Sequence, residues 1–142
     1  MKASERILVG LKTLEHVEEL MDLACRLGSP TAWLRLVHVI ELPDPTPLDA
    51  DVPELEALAK EILEKAGRIA SQSRLNRSTA VLRAHGAASA LIDEIERNKI
   101  DLAVLGYHHR RSIGEILLGT TAQHLARGAP CRVLLSIPPS DR

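Results

Sequence analysis

Gly106, Gly119, Thr120 and Thr121 are the residue types from which a phosphate site is built, and between them lie His108, His109, Arg110 and Arg111. Glycines let a backbone come close to a ligand, and the N–H groups that open a helix point at an anion. The segment 102–121, LAVLGYHHRRSIGEILLGTT, begins as an apolar run ending on Gly106. It then passes through the cationic residues and closes on Gly119, Thr120 and Thr121, where a helical pattern starts. The chemistry this predicts is capture of a phosphate-sized anion. A run such as HHRR is as often simply a solvated loop, so the sequence leaves both possibilities open.

Bond-making chemistry finds less support. Neither a GxSxG nucleophile elbow nor a Walker A sequence is present, and Ser112 near two histidines is a weak signal. Adjacent His108 and His109 do not have the helical i, i+4 spacing of an HExxH zinc site. His38, inside a strand-like run, reads as a packed residue. His85, next to Gly86 at a strand-to-helix junction, reads as structural before functional. Cys25 and Cys131 belong to no CxxC or Cys/His set, which points to a reduced, cytoplasmic setting and to small packed thiols.

The elements that must hold the anion site follow from hydrophobic periodicity. An unbroken apolar run predicts a buried strand over 7–11, and Thr13 is placed to cap a helix over 14–27 that Gly28 and Pro30 end. A second strand is predicted over 31–40, followed by a Pro-rich loop over 43–53. From residue 52 the positions Leu55, Leu58, Ala59, Ile62, Leu63, Ala66, Ile69 and Ala70 recur at helical spacing. A third strand over 78–84, a third helix ending near Asn98 and a fourth strand over 101–105 come next. A short helix over 120–127 and a last strand over 132–137 complete βαβαβαβαβ.

Strict alternation of strands and helices implies parallel pairing with right-handed crossovers. The predicted fold class is α/β, a doubly wound, five-stranded parallel sheet of Rossmann-like order 3-2-1-4-5 with helices on both faces. In such sheets ligands bind at the carboxyl ends of the strands where the order reverses, here between the first and fourth. The 142 residues suit one domain, 1–142.

One Trp, one Tyr, no Phe and a net charge of -1 argue against a nucleic-acid partner. No apolar run approaches the length of a membrane span, so no membrane insertion is expected.

These residues resemble the universal stress proteins over essentially the whole chain. The resemblance rests on ILVGLKTLEHVEELMDLA, LRLVHVIE, HGAASALIDEIERNKIDLAVLG and GTTAQHLARGAPCRVLLSIP. Nucleotide-binding members carry Gly-x2-Gly-x9-Gly-Ser/Thr after the fourth strand; here Gly106, Gly119 and Thr120 match, and His109 stands where the second glycine would be. An acidic residue usual after the first strand is Lys12 here, which cannot accept a hydrogen bond and adds positive charge. On the family pattern Gly10, Lys12, Val39, Leu105, Gly106, His109, Gly119, Thr120 and Thr121 would line the pocket, with ATP or another adenine nucleotide as ligand.

The resemblance therefore implies a cytoplasmic, non-enzymatic regulatory domain that binds a nucleotide or other phosphate-bearing ligand. It also implies a homodimer formed through the last strand, whose apolar run would lie at a sheet edge. The alternative is a nucleotide-independent dimeric interaction module, in one version the cytosolic regulatory tail of a membrane transporter. Slow ATP hydrolysis is the least favoured activity, since no carboxylate is evident to orient Mg2+.

Overall fold

The central strand, β1 (Ser4–Gly10), shows why alternation of apolar residues on two faces produces a layered fold. Ile7, Leu8 and Val9 are all fully buried, which requires cover on both sides. Ile7 and Val9, with Leu11 just beyond, pack against helices α1 (Val17–Leu27) and α2 (Pro53–Gln72). Leu8 points the other way, into a cluster with helices α3 (Ala87–Arg97) and α4 (Thr120–Gly128). Each such side chain contributes roughly 1.5–3 kcal/mol by leaving water. This computed structural model describes residues 3–106 and 120–139.

β2 (Gly28–Glu41), β3 (Asn76–Ala84), β4 (Leu102–Gly106) and β5 (Arg132–Ser136) complete a parallel sheet of order β3-β2-β1-β4-β5, the order expected of the doubly wound fold class. Gly10 is opposite Val37 on one side and Leu105 on the other. The carboxyl ends of β1 and β4 thus lie side by side, β2 runs on past them to Glu41, and β3 and β5 form the edges.

Strand boundaries shift by one to three residues from the sequence expectation, β1 starting at Ser4 rather than 7 and β3 at Asn76 rather than 78, and two further shifts have a structural cause. The first helical segment opens with a 3-10 turn, Leu14–His16, and α1 proper starts at Val17; Thr13 sits at the cap position without a side-chain cap bond. The Thr13 carbonyl accepts from His16 N–H at 3.4 Å instead, and its buried Oγ1 has no partner among the described residues. β2 begins at Gly28 rather than 31, directly from α1. A Cβ on Gly28 would lie 2.9 Å from the Ala32 Cβ and 3.1 Å from Ile7 Cδ1, so only glycine allows the helix to turn into the strand this tightly. Pro30 is tolerated because the pairing with β1 is interrupted between Ser4 and Arg6, where its missing N–H breaks no ladder bond.

α2 and α3 both finish with a residue in the left-handed region, Arg74 (φ 58°) and Lys99 (φ 51°). After each, the next amide reaches back five residues, Leu75 N–H to the Ala70 carbonyl and Ile100 N–H to the Ile95 carbonyl, while Leu75 and Ile100 are buried. This is a Schellman ending built without glycine.

Candidate ligand crevice at the strand tips

The carboxyl ends of β2, β1 and β4 open into a crevice of about 440 Å³, within the range of small-molecule pockets. Seven of the residues predicted from the sequence line it: Gly10, Lys12, Val39, Leu105, Gly106, Thr120 and Thr121. The other two, His109 and Gly119, lie outside the described residues, as do His108, Arg110, Arg111 and Ser112.

Gly10 and Gly106, the two described glycines of the crevice, have packing reasons for being glycine. A Cβ on Gly10 would sit 2.3 Å from Leu105 Cδ2, its neighbour across the β1–β4 ladder. A Cβ on Gly106 would point to α1, meeting Leu20 Cδ1 at 3.2 Å and His16 Nδ1 at 3.5 Å. Their absent side chains therefore let the sheet tips close up, leaving backbone to form the crevice floor.

The loop after β1 is held in place by β2. Leu11 N–H donates to the Val37 carbonyl at 2.9 Å, and the Leu11 carbonyl accepts from His38 Nδ1 at 2.6 Å. Because a carbonyl only accepts, Nδ1 must carry the proton in this bond. His38 is buried and lines the crevice, and its bond fixes the backbone that presents Lys12. His38 is packed, as its place in a strand-like run implies.

Chemically, the crevice is graded from one end to the other. At the β2 end, Val39 and Ile40 meet Leu55 and Leu58 from the first turns of α2, which are 42% and 36% exposed. Glu41 brings negative charge to that end. At the β4 end stand Thr120 and Thr121, the first described residues of α4, and the N-terminal end of a helix favours an anion. The exposed Lys12 stands between the two. An elongated molecule with a flat apolar part and an anionic part would fit in one orientation only.

Sequence reasoning missed the apolar wall. Leu55 and Leu58 fall on the same helical stripe as Ala59, Ile62 and Leu63, yet burial of that stripe begins only at Ala59. The stripe is longer than the sheet it covers, and its overhang is the wall. Glu41, Ala122 and Leu135 also line the crevice without any local signal.

Elsewhere, a groove of about 600 Å³ between α2 and β3 is bordered by Lys60, Glu64, Arg68 and Arg77. It lies beside the middle of an edge strand, away from the point where the strand order reverses, so the topological rule gives no reason to place the ligand there. Among the described residues no three His, Cys, Asp or Glu side chains gather into a metal-holding group, and no helix is long and apolar enough to cross a membrane. Cys25 and Cys131 are free thiols, and burial pushes the Cys131 thiol above its ordinary pKa, which lowers its reactivity.

Known proteins share both the sequence and the architecture. A model of the universal stress protein family matches residues 3–136. A universal stress protein of Thermus aquaticus, from the 3′ region of a QAH/OAS sulfhydrylase, is 31% identical over 108 residues, which are 73% of this chain and 77% of that protein. Among solved structures, the universal stress protein of Archaeoglobus fulgidus in complex with dAMP superposes with a TM-score of 0.68 at 18% identity, over 94% of this chain and 98% of the other. A universal stress protein in complex with cAMP gives 0.66 at 20% identity, over 96% and 98%. A family model that matches residues 3–136, nearly the whole of this chain, leads to one conclusion: this chain belongs to the universal stress protein family.

Proposed function

We propose that the crevice binds a nucleotide, adenine nucleotides above all, and that the protein is a non-enzymatic regulatory domain whose state depends on that ligand. The observation that carries this reading is the grading of the crevice. Its apolar wall of Val39, Leu55 and Leu58 suits a base, its centre carries Lys12, and its far end is the threonine-rich opening of α4. Glu41 repels phosphate from the base end, which fixes the orientation. That relatives of the same fold have been solved with dAMP and with cAMP supports the choice of ligand class. The protein is proposed to act in the cytoplasm as a homodimer joined through β5, an edge strand whose Val133, Leu134 and Leu135 are only half-buried.

A second reading, a dimeric interaction module that works without nucleotide, is favoured by two specific residues. Lys12 replaces the acid usual in binding members, and His109 replaces the second motif glycine. The transporter-tail version belongs to this reading.

The test is to denature purified protein, search the supernatant for nucleotide by mass spectrometry, and titrate ATP, ADP, AMP and cAMP by calorimetry. Saturable heat with at least one of them, lost in Gly119→Val, is the expected result. Absence of heat with all four would refute nucleotide binding and leave the interaction module. His109→Gly should strengthen ATP binding if the motif glycine matters as argued; unchanged affinity would contradict that part.

A further inference from the structure

The loop joining β2 to α2 is tied down by residues at the tip of β3. Arg83 Nη1 donates to the Leu48 carbonyl at 3.2 Å and to the Ala50 carbonyl at 2.6 Å, and Nη2 pairs with the carboxylate of Glu56 in the first turn of α2. His85 Nδ1 donates to the Leu42 carbonyl at 2.9 Å, and Leu42 N–H donates to the Ala84 carbonyl at 2.9 Å. The loop is thus fastened at its start by His85 and the backbone, and at its middle and end by one guanidinium. The planar fork of arginine can reach two carbonyls and a carboxylate at once, which a single ammonium cannot do with the same geometry.

Arg83 is outside the crevice lining, as are its partners Leu48, Ala50 and Glu56, but Glu56 shares the start of α2 with Leu55 and Leu58, which line it. α2 starts without a side-chain cap, at Val52 and Pro53, so its first turn depends on outside anchors. Glu56, the residue Arg83 grips, lies between Leu55 and Leu58, the two side chains of the apolar wall. Neither leucine is fixed by burial, since both are well exposed.

Building on the nucleotide reading above, we propose that Arg83 is a positioning residue for the base-binding wall: it sets the affinity for the nucleoside part of the ligand without touching the ligand. The phosphate end, governed by Lys12 and α4, is independent of it.

The experiment compares the unmodified protein with Arg83→Ala and Arg83→Lys. Calorimetry measures adenosine, AMP and inorganic phosphate, and hydrogen exchange follows the amides of residues 42–58. Arg83→Ala is expected to weaken adenosine and AMP alike, by roughly tenfold, with the ratio of the two and the affinity for phosphate unchanged. Exchange should quicken over 42–58 and not in β1. Arg83→Lys should recover part of the affinity through its remaining charge beside Glu56. Because Arg83→Lys keeps that charge, it serves as the readable variant if Arg83→Ala does not fold. A nucleoside affinity that Arg83→Ala leaves intact, or losses in phosphate affinity as large as those in adenosine affinity, would overturn the assignment. If the unmodified protein binds neither adenosine nor AMP, the nucleotide reading itself has failed and this proposal falls with it.

Discussion

Replacing Gly10 with alanine tests how the crevice floor is built. The new Cβ would lie 2.3 Å from Leu105 Cδ2, whereas carbon atoms in contact sit about 3.5–4.0 Å apart. Leu105 must therefore move by more than about 1 Å. It is 7% exposed and packed with Leu8, Val37, Leu91 and Leu135, so the side open to it is the crevice it already lines. Overpacking of this kind costs about 1–3 kcal/mol, which for a chain of this length lowers Tm by roughly 3–9 °C. Because the offending atom is the end of a side chain, the lower half of that range is expected. Nucleotide affinity should fall as well, as Leu105 intrudes on the ligand. Thermal melts of a double-mutant cycle isolate the contact. Leu105→Ala alone costs about 2–5 kcal/mol, and in that background Gly10→Ala should cost almost nothing further. An equal penalty in both backgrounds would refute the steric account.

Further expectations concern charge, backbone and a buried ion pair. Lys12→Ala should weaken AMP about two- to fivefold at low salt and leave adenosine unchanged, with the difference shrinking at high salt; calorimetry at two ionic strengths checks this. Lys99→Gly relieves a left-handed residue at the end of α3 and should stabilise the protein by about 1 kcal/mol in urea melts, a loss of stability being the contrary result. Glu94→Ala removes a buried carboxylate that accepts from Arg35 Nε and Asn98 Nδ2, both at 3.0 Å. Arg35 keeps a bond to Ser78 Oγ at 2.9 Å and is partly exposed, so the loss should be about 2–3 kcal/mol by denaturant unfolding.

The fold was legible because its physical causes are local. Ile7, Leu8 and Val9 are apolar on both faces, and helix signals separate every pair of strands, so a parallel sheet covered on both sides follows. The start of β2 was not legible: Gly28 reads as a helix stop, and its tight contact with Ala32 and Ile7 exists only in three dimensions. The end of the candidate site suited to an anion was visible as Gly106, Thr120 and Thr121, a compact motif. The apolar end was not, since Leu55 and Leu58 obey the same periodicity as the buried residues after them and differ only in overhanging the sheet. Arg83, a lone arginine late in a strand, gives no sign in the sequence of the two carbonyls and the carboxylate it gathers.

The central claim concerns where the ligand sits, and amide chemical shifts of labelled protein titrated with AMP test it most directly. The account predicts saturable shifts at Gly10, Val39, Gly106 and Thr121, with Thr79 and Val81 beside the groove of α2 and β3 unmoved. Saturable shifts confined to that groove, or none anywhere at millimolar AMP, would contradict it.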